Sequence, residues 1–334
     1  MSKSGEADRK LGMGMVADLD SLWDYEHPGP TEKKFRELLQ AALDSLDISY
    51  LAELLTQIAR AEAMQKKFSE AQKTLDRVEK ALPKADQRVS VRYVLERGRV
   101  LSLSGKPREA QPRLREAFNL ALMLKMDLHA IDAARMMAIA EPEKALEWNM
   151  KALDLAEKSA DARANKAKGL LYSSIGWNRF ERKEYQEALF MFQKALQYTD
   201  QLGDPLKIRT AKWSVAKVLR VIEHTEEALD MQRKLFEEYQ EEGKRNGYVY
   251  EEIAECLLVM GQVQEAEGWF AAAYAELSKD PRISKSTEPA QRARSSRQAK
   301  AHSRLGSEIC DRVTRSKRSS KSCRQLTLDF AFHL

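Results

Sequence analysis

Pairs of small residues recur along this chain at a spacing that leaves few folds open to it. Six alanines are each preceded, twelve residues earlier, by another alanine or by a glycine. The later members are Ala71, Ala110, Ala145, Ala188, Ala228 and Ala266, and the earlier ones are Ala59, Gly98, Ala133, Gly176, Ala216 and Ala254. Small residues let two helices approach closely. Because the pairs recur every 35 to 43 residues, they predict a repeat array of helical hairpins.

Composition supports helices and argues against a membrane-spanning chain. Ala and Leu are abundant, whereas the 334 residues include only 14 Gly and 9 Pro. No apolar run reaches the length of about 18 residues that a membrane-spanning helix needs. The first ten residues lack the apolar core of a signal peptide. The three cysteines are too scattered for a disulfide framework or a zinc site, so we expect a cytoplasmic protein.

The chain divides by composition into five segments. Residues 1–15 are small and polar, and we expect them to be disordered. Residues 16–48 form an acidic segment with apolar anchors, then a breaker at 27–30, then a capping helix from Thr31 to Leu46. The repeats occupy 49–280. We expect 281–312 to form a basic helical cap, and 313–334 to be a disordered basic tail.

The repeats resemble the tetratricopeptide repeat (TPR). The fourth unit has Tyr172-x2-Ile175-Gly176 followed by Ala188-x3-Phe192, which matches the TPR pattern closely. The first and sixth units have similar residues at the same positions. LGDP at 202–205 resembles the long-helix variety found in kinesin light chains and many bacterial regulators.

Some units depart from the TPR pattern. The third unit has His129 and Asp132 at positions that are usually apolar, and its register is the least secure. The fifth has Lys212 and Gln232 where aromatic residues are usual. The resemblance nevertheless implies an all-α, right-handed superhelical solenoid of about six helix pairs.

The resemblance also implies a function, which is binding of a protein or peptide in a concave groove. The first helix of each TPR pair faces inward, and the residue after its small residue points into the groove. Residues one turn to either side share that face. The predicted groove residues are Arg60, Arg92, Arg99, Met137, Ser173, Trp177, Phe180, Trp213, Lys217, Arg220, Tyr248, Glu251 and Glu255.

The character of these residues indicates what the groove would bind. Trp177, Phe180 and Trp213 lie beside Lys217 and Arg220, and aromatics beside cations are typical of binding hot spots. We therefore expect a partner with acidic and apolar stretches. The alternative for Trp177 and Trp213 is that they pack against neighbouring helices or the amino-terminal segment. The inward positions of the first unit lack the asparagine of the clamp that TPR cochaperones use for carboxyl-terminal peptides.

The sequence contains no recognisable catalytic or metal-binding motif. HExxH, CxxC, a Walker loop and GxSxG are all missing from the sequence. The five histidines never pair at i, i+4 and never neighbour a cysteine. We therefore predict a scaffold or adaptor that is not an enzyme and has no catalytic, metal or cofactor site.

The charge distribution offers a second functional hypothesis. Residues 281–334 contain 13 Lys and Arg against 4 Asp and Glu, whereas the other 280 residues contain 43 against 47. A basic tail of this kind could contact RNA or DNA, so the alternative function is a nucleic-acid-associated adaptor. The tail lacks the interleaved aromatics that stack on bases, so we favour a protein partner.

Overall fold

A computed structural model describes residues 19–279, and every regular element in that range is a helix. Six helix pairs follow one another, as the repeat spacing predicts. In chain order the helices are α1 (Pro28–Glu37), α2 (Leu39–Asp44), the pairs α3 (Ile48–Met64) with α4 (Phe68–Ala81), α5 (Gln87–Leu103) with α6 (Pro107–Met123) and α7 (Asp127–Ala140) with α8 (Ala145–Lys158), the short α9 (Ala162–Lys166), and the pairs α10 (Lys168–Glu181) with α11 (Tyr185–Leu202), α12 (Pro205–Val221) with α13 (Thr225–Glu241) and α14 (Gly247–Val259) with α15 (Val263–Leu277).

The described residues divide into two compact units, and the boundary in the chain falls between Ala167 and Lys168. Unit 1 comprises residues 19–167 and contains the first three pairs. Unit 2 comprises residues 168–279 and contains the other three. Within each unit the two helices of a pair pack on each other, and each pair packs on the next.

The predicted register holds in all six pairs. The earlier small residue of each pair is buried in the first helix, and the later alanine is the fourth residue of the second helix in five pairs. The third pair differs, because α8 begins at Ala145 itself. A 3-10 turn at Pro142–Lys144 supplies the missing first turn, so Ala145 keeps the same distance from the start of helical structure.

A residue with positive φ closes the first helix in five of the pairs. These residues are Lys66, Gly105, Lys183, Glu223 and Gly261, and each lies five positions before the alanine of the second helix. In each turn the next backbone N–H donates to the carbonyl five residues earlier, as Lys106 N does to Leu101 O at 3.0 Å. This is the Schellman arrangement, which satisfies the last carbonyls of a helix. The turns therefore have one geometry although their sequences differ.

The amino-terminal segment departs from the prediction. Helix α1 begins at Pro28, not after Thr31, because proline at the first helical position needs no N–H partner. The Thr31 hydroxyl lies within hydrogen-bond distance of the Asp24 and His27 carbonyls, at 3.0 and 3.1 Å, and Asp24 N donates to it. The expected single helix to Leu46 is also interrupted at Leu38, which separates α1 from α2.

Other predictions lie outside the described residues. These are the disordered segment 1–15, the basic cap 281–312 and the basic tail 313–334, which includes the residues of the nucleic-acid hypothesis. Within the described part of the chain, each helix is too short or too polar to cross a membrane.

Candidate functional site

The first helices of unit 1 share a face that is dominated by arginine. Helices α3, α5 and α7 lie side by side. Asp132 of α7 pairs with Arg99 of α5, with Arg60 of α3 at 3.6 Å and with Arg135 of its own helix at 3.8 Å. Burial alone would raise the pKa of Asp132, but the three guanidinium groups lower it to about 2. Asp132, which departs from the repeat pattern, therefore joins three helices through charge.

The amino-terminal segment lies on this face and contacts it through side chains. Asp20 accepts hydrogen bonds from both Nη atoms of Arg92, at 3.2 and 3.3 Å, and from Arg163 at 2.9 Å. The Trp23 indole N–H donates to Gln57 Oε1 at 2.7 Å. We call residues 19–25 the plug segment, because they cover the arginine-rich face.

Two aromatic rings of the plug segment stack and receive a cation. The rings of Trp23 and Tyr25 are nearly parallel, with centroids 4.9 Å apart. The Arg60 guanidinium carbon lies 5.3 Å from each centroid. Cation–π contacts of this kind contribute about 0.5–2 kcal/mol, depending on desolvation. Arg60 therefore joins the buried charge cluster to the plug segment.

Next to Asp20, the same face opens into a polar cleft of about 250 Å³. Arg92 and Arg163 line it together with Arg88, which is exposed. His129 also lines the cleft, and burial together with the nearby Arg92 lowers its pKa to about 3. His129 is therefore neutral near pH 7. The charged lining consists of four cations, Arg88, Arg92, Lys125 and Arg163, and three carboxylates, Glu53, Asp127 and Asp161.

The four predicted groove residues of unit 1 have different environments. Arg60 and Arg92 are half-buried and contact the plug segment, so the structure brings these two together. Arg99 and Met137 are only 2% and 0% exposed, and the expectation that they point into an open groove is wrong. Arg99 is drawn between α5 and α7 by Asp132. The alanines of α7 allow its neighbours to pack closely around Met137.

The predicted residues of unit 2 come together as an aromatic row. Trp177 of α10 lies 5.8 Å from Trp213 of α12, whose ring lies 6.2 Å from Tyr248 of α14. Phe180 packs edge-on against Trp177 at 5.5 Å. The Trp213 indole N–H donates to the Tyr248 carbonyl at 3.1 Å. Three first helices therefore meet through rings in unit 2, as they meet through charges in unit 1.

The expectation that Trp177 and Trp213 are exposed in a groove is wrong. Their exposed fractions are 4% and 6%, and both belong to the apolar core of unit 2. The ring of Trp177 also contacts Phe192 of the second helix, with a centroid distance of 4.8 Å. Packing against neighbouring helices, the alternative left open by the sequence, is what the structure has. Ser173, one turn before Trp177, is half-buried.

The predicted cations of unit 2 already face carboxylates. Glu252 accepts from Lys217 and, at 3.0 Å, from Arg220, which also lies 3.8 Å from Glu255. Burial opposes ionisation of Glu252, yet Lys217 and Arg220 lower its pKa to about 2. Burial instead raises the pKa of Glu251 to about 7. An acidic ligand would compete with these carboxylates for the two cations.

Six residues of the candidate site were not among the groove residues predicted from the sequence. They are Asp20, Trp23, Tyr25, Gln57, Asp132 and Arg163. Two signals pointed to some of them, namely the acidic segment with apolar anchors before residue 27 and the polar residues at apolar positions of the third unit. In the range 19–279, we find no group of three His, Cys, Asp or Glu residues placed to hold a metal ion.

No protein-family model and no curated protein matches this chain. Solved structures do match. One is the crystal structure of NprR in complex with its cognate peptide NprX, at 15% identity and a TM-score of 0.50, covering 97% of this chain and 98% of that one. Another is the apo form of RapI, at 14% identity and a TM-score of 0.55, covering 93% and 92%.

A third match is a signal transduction ATPase with a tetratricopeptide repeat sensor, PH0952 from Pyrococcus horikoshii. The identity is 15%, the TM-score is 0.62, and the alignment covers 96% of this chain but only 50% of that protein. Similarity at this level concerns the fold. The chain therefore has the TPR-like fold of paired helices that its repeats predict.

Proposed function

We propose that this protein is a non-enzymatic scaffold or adaptor that binds a protein or peptide on the first-helix faces of its repeats. The observation that carries the proposal is the plug segment, because the unit 1 face holds it by the side-chain contacts expected for a peptide. Arg92 and Arg163 donate hydrogen bonds to Asp20, and Arg60 makes cation–π contacts with the aromatic rings. The similarity in fold to NprR, which has been crystallised with its cognate peptide, supports the same conclusion.

The proposed partner has acidic and apolar character, and unit 1 suits it better than unit 2. On the unit 1 face the ion-paired arginines of the helices outnumber the carboxylates, whereas in unit 2 Lys217 and Arg220 are matched by Glu252 and Glu255. In this proposal the thirteen predicted groove residues have two roles. The half-buried ones contact the partner, and the buried Arg99, Met137, Trp177 and Trp213 shape the surface beneath it.

The absence of catalytic motifs from the sequence supports binding rather than catalysis as the function. A cytoplasmic location is part of the same proposal. It is supported by the three scattered cysteines, of which Cys256 is a buried free thiol.

Affinity capture with the full chain tests the proposed function. The variant Arg88→Glu with Arg163→Glu reverses two charges at the cleft, and Arg113→Glu is the matched control because Arg113 is exposed on α6, a second helix. Partners are identified by mass spectrometry and quantified for each bait. We expect capture to fall with the cleft variant and to persist with Arg113→Glu. Equal capture by both variants would show that this face is not the binding surface.

A further inference from the structure

We propose that the plug segment is a built-in competitor, and that the unit 1 face beneath it binds a partner peptide of the same acidic and aromatic chemistry. The inference rests on the proposed function and names its ligand class and its regulation. The ligand has an aspartate or glutamate followed, three and five residues later, by aromatic residues. That is the spacing of Asp20, Trp23 and Tyr25.

The contacts of the plug segment resemble those of a ligand more than those of a core element. Of residues 19–25, only Leu19 is buried, and the others are half-buried or exposed. Trp23 contacts the helical body through its indole N–H and through its ring on Phe35, and Asp20 does so through its carboxylate. Side-chain contacts of this kind can be replaced by the same groups on another chain.

Helix α1 is attached to unit 1 by ion pairs that do not involve the plug segment. Phe35 of α1 is fully buried, and the Trp23 ring packs edge-on against it with a centroid distance of 5.4 Å. Arg36 pairs with Glu62 of α3 at 2.6 Å, and Glu32 pairs with Lys67 at 2.9 Å. The plug segment is joined to α1 through Asp24, which bonds to Thr31. Release of residues 19–25 would therefore leave the two ion pairs of α1 in place, although Phe35 would lose its contact with Trp23.

The charges beneath the plug segment favour an acidic replacement. The ion-paired network of this face contains five arginines of the helical body against four carboxylates. The arginines are Arg60, Arg92, Arg99, Arg135 and Arg163, and the carboxylates are Glu53, Glu96, Asp132 and Asp161. Asp20 offsets the remaining positive charge while the plug segment is seated. When it leaves, the face gains positive charge and attracts an acidic peptide.

The cleft beside Asp20 gives room for more of a ligand than the plug segment fills. Arg92 and Arg163 hold Asp20 and also line the cleft. With Arg88 and Lys125 they outnumber the lining carboxylates, which are Glu53, Asp127 and Asp161. A partner peptide with a second acidic residue near its aspartate could therefore place that residue in the cleft. Such a peptide would make all the contacts of the plug segment and one more.

Competition has a measurable consequence. If the plug segment is seated in about nine of ten molecules, the apparent affinity for an external peptide falls about tenfold.

The probe is a fluorescent synthetic peptide with the sequence of residues 16–27, and a scrambled peptide is its control. Binding is measured by fluorescence anisotropy with the full chain. The plug-free variant carries Asp20→Ala, Trp23→Ala and Tyr25→Ala together.

We expect the plug-free variant to bind the probe about tenfold more tightly than the unmodified chain does. Adding Arg92→Ala and Arg163→Ala to it should remove that gain, whereas adding Arg113→Ala should not. The milder change Asp20→Asn, which leaves both rings in place, should tighten binding by a smaller factor.

Three results would overturn the inference. One is equal binding of the probe by the unmodified and plug-free chains. Another is loss of helical circular dichroism in the plug-free variant together with no tightening by Asp20→Asn, because the plug segment would then be structural. The third is a concentration-dependent dimer of the unmodified chain that disappears in the plug-free variant, because the occupant would then be a second copy. If affinity capture still depends on Arg88 and Arg163 when the probe fails, the proposed function stands without this inference.

Discussion

Gly176 packs so closely on Phe192 that a Cβ atom built on it would lie 2.6 Å from Phe192 Cε1. The glycine belongs to α10 and the ring to α11, so the contact sets the separation of the fourth helix pair. Real Cβ atoms do not approach a ring carbon this closely, and the ring is fully buried. Gly98 has the same relationship to Leu114 in the second pair.

We expect Gly176→Ala to destabilise the protein by about 1–3 kcal/mol, because the added methyl group forces Phe192 out of its place. Gly268→Ala is the control. Gly268 lies on α15 with nothing within 4 Å of its Cβ position, so alanine should stabilise that helix by about 0.5–1 kcal/mol. Urea denaturation followed by circular dichroism measures both. An unchanged midpoint for Gly176→Ala would contradict the assigned packing.

Removing the ring of Trp177 should cost stability. The side chain is buried and contacts Phe180, Phe192 and Trp213, so Trp177→Ala should destabilise unit 2 by about 3–5 kcal/mol. Phe190→Ala serves for comparison, because Phe190 is 54% exposed and its loss should change the unfolding free energy by about 0.5 kcal/mol or less. Thermal melting distinguishes the two. Equal melting temperatures of the two variants would show that the Trp177 ring is not part of the core.

A buried glutamine in unit 2 should be replaceable by an apolar residue. Gln232 is fully buried, and within the described residues its Oε1 has no hydrogen-bond partner, while Nε2 lies 3.5 Å from the Trp213 carbonyl. We expect Gln232→Leu to stabilise the protein by about 1–2 kcal/mol, because it removes an unsatisfied oxygen from an apolar core. Gln264→Leu, on the exposed side of α15, should have little effect. A destabilised Gln232→Leu variant would indicate that the amide has a structural role.

The Glu251 carboxyl should make stability depend on pH. Burial raises its pKa in the folded protein to about 7, from 4.5. A raised carboxyl pKa contributes stability that is fully present below pH 4.5 and is lost as the pH rises towards 7. Glu251→Gln does not titrate, so its free energy of unfolding should rise relative to that of the unmodified protein as the pH increases across that window. The difference should reach about 1–3 kcal/mol at the upper end.

Urea midpoints at several pH values between 4 and 8 check the Glu251 prediction. Glu267→Gln, an exposed substitution on α15, is the matched control and should show no such gain. A difference between Glu251→Gln and the unmodified protein that stays constant with pH would rule out the titration of Glu251.

Loss of the Asp132 carboxylate should be among the most damaging single changes in unit 1. Asp132→Ala leaves Arg60, Arg99 and Arg135 around a site without its negative charge, at a cost of about 3–5 kcal/mol. Asp154→Ala removes an exposed i, i+4 pair with Lys158 and should cost about 0.5 kcal/mol or less. The comparison of their denaturation midpoints is the test. Similar midpoints would mean that the arginines have enough other partners.

The helix pairs could be predicted because their signal is local and repeated. A small residue recurs twelve positions before each second-helix alanine, as Gly176 does before Ala188, and six copies of this spacing leave little freedom. The start of α1 was missed because two prolines and a glycine at 28–30 resemble a breaker. A proline at the first helical position is in fact favourable.

The candidate site was only partly predictable, because a helical period states which side of a helix a residue occupies and not what covers that side. Trp177 and Trp213 occupy the predicted side of α10 and α12, but neighbouring first helices bring their rings together and bury them. Arg60 and Arg92 also lie on the predicted side of α3 and α5, and in unit 1 the plug segment covers that side.

The amino-acid sequence by itself determined the number of helix pairs, their register and the side of each first helix that carries aromatic and basic residues. These follow from contacts between the two helices of one pair, such as Gly176 with Phe192, which the recurrent spacing of small side chains specifies. The tertiary structure alone decided that Asp20 pairs with Arg92 and Arg163, which lie 72 and 143 positions away. Partners so distant along the chain are chosen by the folded arrangement of the helices, because no local pattern links an acidic segment to the arginines that it meets.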